Sequence, residues 1–369
     1  MLKQFAAAAL GLFFASTLLA NPDAVVNSTM AKLMKDYAIP GATVQLYAQG
    51  QPYSYNFGVA DRMQQTPVTN DTIFELGSLT KLFTSLLLAE DVEAGTVSLH
   101  DSAADYIPDL LGTAALKPIT LGNLASFTAS FPLNLPDNVH TRKELALTLK
   151  TWQPTAPIGS VWQYSNVDFG LLGDVLEVAN HQSFNQMYRT QILSPLHMNP
   201  IGLTVPDSYL SQVATGYTAN GKMTPKVTLG LFPTAYALKA TGGDLLRFLN
   251  ASLGLSGTPS SIATAMQLTE TPIATVQNWQ QGMGWRINAP LALTLSPLPA
   301  SPLSLKDQVF NPTARLEKTG ATDGFRAYIV AVPGEETGVV ILLNKTIPND
   351  AIVNAGRKIL HGIEMPATT

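Results

Sequence analysis

Between Ala24 and Tyr37 the apolar positions fall at Val26, Met30, Leu33 and Tyr37, the spacing of one helix face. From Gly41 the period shortens to two. Gly41–Ala48 and Tyr53–Ala60 alternate as strands, and Gln49-Gly50-Gln51-Pro52 between them is turn chemistry, so an N-terminal β-hairpin is expected. A second hairpin is expected near the other end. There Phe325–Val332 and Val339–Leu343 flank the turn Pro333–Gly338, and Ile352–Ile363 looks helical. Thr72-Ile73-Phe74 is strand-like, and Gly284–Ile287 suggests one more short strand. From about Lys81 to Val205 the period is mostly helical, broken by loops such as Phe131–Asp137. Pro290–Pro302, rich in Pro, Leu and Ser, reads as an exposed connection.

Strands at both ends with helices between them imply one sheet assembled from both termini. The expected class is α/β. Residues 21–80 and 206–369 would form a mixed α/β domain with an antiparallel sheet, and residues 81–205 a mostly helical domain.

Composition narrows the function. The chain has 369 residues, 46% apolar and only 13% charged, a globular rather than a disordered balance. A net charge of −4 and the lack of any Lys/Arg run argue against a nucleic-acid partner. With no cysteine, disulfides, thiolate nucleophiles and thiolate metal sites are excluded. The five histidines (His100, His140, His181, His197, His361) show no metal-ligand spacing, so neither metal nor cofactor is expected. No Gly-x-Ser-x-Gly elbow is present.

Residues 1–20 read as a secretory signal: Lys3, an apolar run from Phe5 to Leu19, then Ala20 before Asn21-Pro22-Asp23. Leu18 stands where a small residue is preferred. The competing reading, a membrane anchor, is disfavoured because the run is short for a span. A periplasmic monomer without a membrane span is the expectation.

Three motifs occur once each. Ser78-Leu-Thr-Lys81 opens an apolar helix containing Leu82, Leu86, Leu87 and Leu88. A serine at a helix N-terminus sits where backbone N–H groups favour developing negative charge. Lys81, three residues on, lies beside it, and a buried amine there lowers the cost of removing the serine proton. Tyr164-Ser-Asn166 follows. A phenolate beside two lysines is expected to persist near neutral pH, which would make Tyr164 a proton carrier, while Asn166 can hold a substrate amide. Lys318-Thr-Gly320 enters the C-terminal strand: Lys318 brings positive charge near Tyr164 and a substrate carboxylate, Thr319 a hydroxyl, and Gly320 room for a ligand to approach the backbone. Taken singly, the motifs read first as an N-cap serine with an ordinary lysine, a loop tyrosine, and a tight turn. Their joint presence and order favour an acyl-transfer site with Ser78 as nucleophile.

With these motifs the sequence resembles the class C serine β-lactamases of the wider penicillin-binding-protein-like family. Further blocks carry the resemblance: Phe57–Asp61, Pro67–Thr69, Phe74–Ser78, Thr128-Ala129, Pro132–Asp137, Trp152–Pro154, Ala235-Tyr236, Lys318–Phe325, Leu343–Lys345 and Pro348-Asn349. The resemblance implies a mixed α/β domain and a helical domain with the site between them, and hydrolysis of cephalosporins and penicillins without a cofactor. It implies that Ser78 is acylated, that Lys81 and Tyr164 handle protons, and that the backbone N–H groups of Ser78 and Ala321 form an oxyanion hole. Asn134 and Asn166 would bind the acyl amide, Lys318, Thr319 and Asn349 the carboxylate, and Tyr236 would line the wall. The chain departs from the family where Asn134 replaces the usual glutamine, Asp323 a glycine and Ile352 an arginine, and 208–234 looks shortened. A D-alanyl-D-alanine peptidase or esterase would use the same motifs. A third reading, a binding module that keeps the fold without activity, is disfavoured because all the expected polar groups are present.

Overall fold

The computed structural model describes residues 21–291 and 296–364. The expected signal segment lies outside them, as does part of the expected connection after Pro290. Five antiparallel strands form the centre of the sheet: β1 (Gly41–Ala48), β2 (Gln51–Asp61), β3 (Leu316–Ala321), β4 (Arg326–Val332) and β5 (Thr337–Leu343), in the order β2-β1-β5-β4-β3. Both expected hairpins are therefore present, and β1 pairs with β5 (Ala42 with Leu343, Tyr47 with Gly338), which joins the two ends of the chain. The mixed antiparallel α/β class expected from the sequence is observed.

The near-continuous apolar run of β5 has a direct cause: helices cover both faces of the sheet. Val339, Ile341 and Leu343 point to one side, with Tyr328, Val330 and Val332 of β4. There they meet α1 (Pro22–Tyr37) and the terminal helix α5 (Asn349–Glu364) through Val26, Met30, Ile352 and Ile359. Val340, Leu342, Ala327 and Ile329 point to the other side. There they meet α4 (Gly242–Ser252) through Leu245, Phe248 and Leu249, and this core continues into α2 (Thr80–Glu93) and α3 (Asn166–Asn180).

Beyond β3 the sheet continues through short strands Arg286–Ile287, Trp279–Gln281 and Ala274–Val276 to Leu298–Pro302 and Val161–Trp162. This corrects the expectation for Pro290–Pro302: Leu298–Pro302 is a strand, though a largely exposed one. Its prolines are tolerated because each part pairs on one side only, Pro299 with Val161 and Pro302 with Ala274, so no ladder bond is lost on the other. Among the described residues no helix is long and apolar enough to cross a membrane.

Candidate active site

The site forms where α2, α3 and β3 meet. Ser78 lies in a 3-10 turn, Gly77–Leu79, that leads from the short strand Ile73–Glu75 into α2. Two glycines let this turn press against β3. Gly77 has φ +51°, and a Cβ on it would stand 2.4 Å from the Ala321 nitrogen. A Cβ on Gly320 would stand 2.0 Å from the Leu76 carbonyl oxygen. The missing side chain of Gly320 makes room for the nucleophile turn. The Thr80 hydroxyl locks the turn by donating to the Gly77 carbonyl at 2.7 Å, while its oxygen accepts the Leu238 N–H at 3.1 Å.

Lys81 is fully buried. Its Nζ donates to Asn166 Oδ1 at 2.6 Å and to the Ala235 carbonyl at 2.9 Å, and lies 3.2 Å from Ser78 Oγ. Asn166 is the first residue of α3, capped by the Ser165 hydroxyl, which accepts the Asp168 N–H. The Asn166 amide donates in turn to Asn134 Oδ1 at 2.8 Å, so the shorter amide at 134 still reaches its partner. Lys318 Nζ donates to the Tyr164 hydroxyl at 3.0 Å. Ser78, Lys81, Asn166 and Asn134 are thus joined by direct polar contacts, and Lys318 and Tyr164 by another. Thr319 and Ala321 flank Gly320 on β3. Tyr236 follows the carbonyl that holds Lys81, is half-buried, and donates its hydroxyl hydrogen to Leu229 O at 3.0 Å. Asn349 is the exposed first residue of α5. Ile352, at the departure from the family pattern, is buried between α5 and the sheet and offers no charge to a ligand.

The sequence reading missed an aromatic lining. The Tyr164 ring packs on Phe127 at 4.7 Å and on Trp162 at 6.2 Å between centroids. Lys81 Nζ lies 4.9 Å from the Tyr164 ring centre, and Lys318 Nζ lies 4.4 Å from it and 5.4 Å from that of Phe127. Phe127 itself takes a left-handed backbone, φ 61°, a conformation that costs a non-glycine residue about 1–3 kcal/mol and that clusters at functional sites. No motif announces these contacts.

Burial governs the proton chemistry. It lowers Lys81 to about 7, against the raising influence of Asp168. Lys318 is held well below the ordinary lysine value by burial, with Lys81 and Arg286 as repelling neighbours. Burial pushes the Tyr164 phenol up to about 12, outweighing a hydrogen bond from Ser78 and the charge of Arg286. The expected resting phenolate is therefore corrected. Desolvation penalises the anion more than the lysines, themselves starved of charge, can repay. Tyr164 rests as a neutral phenol, and the group of this site nearest to titrating at neutral pH is the Lys81 amine.

A half-buried serine against a low-pKa amine, with a second amine and a phenol alongside, is suited to acyl transfer. The sequence profile described as Beta-lactamase matches residues 26–362. The chain belongs to the β-lactamase family. A β-lactamase of Yersinia enterocolitica is 32% identical over 355 residues, covering 92% of this chain and 91% of that protein. A solved class C β-lactamase in complex with cefoxitin matches with a TM-score of 0.87 at 29% identity, covering 92% of this chain and 98% of the other. A D-alanine carboxypeptidase from Burkholderia cenocepacia matches with a TM-score of 0.85 at 31% identity, covering 92% and 98% respectively.

Proposed function

We propose that this protein is a class C-type serine β-lactamase that opens the β-lactam amide of cephalosporins and penicillins through an acyl-enzyme on Ser78. The observation that carries the reading is the placement of Ser78 Oγ 3.2 Å from the buried, low-pKa amine of Lys81. As the free amine, Lys81 takes the Ser78 proton while Oγ attacks the lactam carbonyl carbon. The electron pair moves onto the carbonyl oxygen, which the backbone N–H groups of Ser78 and Ala321 would receive. When the ring C–N bond breaks, the leaving nitrogen takes a proton from the Tyr164 hydroxyl. Lys318, at 3.0 Å, returns one to Tyr164. Water then attacks the ester, losing its proton to the same network, and Ser78 regains its hydrogen. Asn134 and Asn166 would hold the acyl amide, Lys318, Thr319 and Asn349 the carboxylate, and Tyr236 the pocket wall.

A second reading, D-alanyl-D-alanine peptidase or esterase action at the same serine, is favoured by the likeness to a protein named as a D-alanine carboxypeptidase. Steady-state hydrolysis of penicillin G and of a D-Ala-D-Ala peptide separates the two. Faster turnover of the lactam supports the first, and faster turnover of the peptide replaces it with the second. We further propose export to the periplasm directed by residues 1–20, on the strength of Lys3 and the apolar run that follows it, with the mature chain acting as a monomer. N-terminal sequencing of the periplasmic protein checks the cleavage.

A further inference from the structure

Glu75 ends the short strand Ile73–Glu75, three residues before Ser78, and is buried. Its two carboxyl oxygens hold two segments that lie far from it in the sequence. Oε1 accepts the Val227 N–H at 2.8 Å, and Oε2 accepts the Thr322 hydroxyl at 2.7 Å. Lys239 stands opposite Glu75 on the neighbouring strand Lys239–Thr241, yet its amine donates to the Leu203 and Ala237 carbonyls, both at 3.0 Å. Among the described residues Glu75 forms no ion pair. Its side chain serves the two cross-chain hydrogen bonds.

Each bond reaches one side of the cleft beside Ser78. Thr322 follows Ala321, the last residue of β3, whose nitrogen lies so near the nucleophile turn that a Cβ on Gly77 would stand 2.4 Å from it. This end of β3 is weakly held by the sheet. The ladder with β4 stops at Ala321 and Arg326, and on its other side β3 pairs only through Leu316 and Glu317. The Thr322 side chain supplies the missing tie. Val227 belongs to 225–231, a mostly exposed segment with neither helix nor strand. Among the described residues two hydrogen bonds hold that segment: the one from the Val227 N–H to Glu75, and the one from the Tyr236 hydroxyl to the Leu229 carbonyl at 3.0 Å.

We infer that Glu75 is a positioning residue that clasps the 225–231 segment to the turn after β3 and so fixes the Ala321 N–H at the distance from Ser78 that a developing oxyanion needs. This rests on the reading of Ser78 as nucleophile and of the Ser78 and Ala321 N–H groups as the oxyanion hole. Such donors act because they are in place before the charge appears, so a strand end free to drift would forfeit their effect. Glu75 makes and breaks no bond in the reaction. Its role is one of geometry, and a side chain that keeps both hydrogen bonds should keep it.

The test reads kcat and KM for penicillin G, and Ki for phenylboronic acid, in Thr322→Val, Thr322→Ser, Glu75→Ala and Glu75→Gln. The boronic acid adds to the serine oxygen and places a tetrahedral oxygen where the oxyanion forms, so its Ki reports the hole directly. Thr322→Val should lower kcat and raise Ki by about tenfold each with KM little changed, and Thr322→Ser, which retains the hydroxyl, should restore both. Glu75→Ala loses both ties, and about a hundredfold is expected. Glu75→Gln should recover most of it, since its amide oxygen can accept from Val227 while its NH₂ donates to the Thr322 oxygen. Should Glu75→Ala fail to fold, the half-buried Thr322 pair carries the test alone. Thr322→Val with kcat and Ki unmoved, whether or not folding stability falls, would overturn the inference. A wild-type protein that forms no acyl-enzyme would overturn the functional reading itself, an outcome distinct from unmoved constants in active enzyme.

Discussion

Two buried charges one residue apart on β3 are treated in opposite ways. Glu317, on the side facing α5, accepts three hydrogen bonds from the Arg357 guanidinium at 2.7, 2.8 and 3.1 Å and another from the Tyr328 hydroxyl at 2.8 Å, and Arg315 pairs with it as well. Lys318, its neighbour, points away from that network. It finds the Tyr164 hydroxyl and two aromatic faces, while Lys81 and Arg286 repel it. On the first side, charge is compensated and ties the terminal helix to the sheet. On the second, two lysines are kept short of counter-charge, which holds both amines below the ordinary lysine value and brings Lys81 to about 7. The same strand thus separates a region built for stability from one that gives up stability for reactivity.

Substitutions on the two sides should therefore move different quantities. The largest effect is expected from Lys81→Met, which removes the base: kcat/KM for penicillin G should fall by about 10³–10⁴ while the protein stays folded, read by steady-state kinetics beside circular dichroism. Glu317→Gln should behave the other way. Leaving Arg357 and Arg315 without their anion is expected to lower unfolding stability by about 3 kcal/mol in urea titrations, with the activity of the folded protein little changed. Lys318→Met would sharpen the contrast most. Removing an uncompensated buried amine should raise stability by about 1 kcal/mol while activity falls by about a hundredfold. If that variant were both less active and less stable, Lys318 would belong with Glu317 and the comparison would fail.

The smallest effect is one of pH. Lys81 must be the free amine to accept the Ser78 proton, and its value is lowered to about 7. Protonation as pH falls removes the base, so kcat/KM should rise through about pH 7 and level off above it. Activity that falls over the same range would point to an acid rather than a base at this position.

How much of this was legible in the sequence follows the range of the interactions. The hairpins were, because alternation and turn residues are local signals. So were Ser78, Lys81, Tyr164, Asn166 and Lys318, each held in a short motif whose spacing fixes its neighbours. Asn134 was reached through family likeness, and its contact with Asn166 agrees with that. Phe127, Trp162 and Arg286 were not legible, since they meet the site only through folding from distant segments. Glu75 was hidden differently: it stands beside the nucleophile motif, but only its bonds to Val227 and Thr322 show what it holds together. The phenolate expected at Tyr164 failed because sequence reveals neighbouring charges but not their desolvation. From sequence Leu298–Pro302 reads as a connection because proline argues against strands, and only the pairing pattern shows why proline is tolerated there.

The central claim is that Ser78 is acylated by a β-lactam and then released by water. Intact-protein mass spectrometry during turnover of penicillin G tests it most directly, with wild type beside Ser78→Ala. The account predicts a transient mass increase equal to the whole penicillin in wild type, decaying as substrate is consumed, and neither adduct nor hydrolysis in Ser78→Ala. Hydrolysis that persists in Ser78→Ala, or a wild-type adduct that never decays, would contradict it.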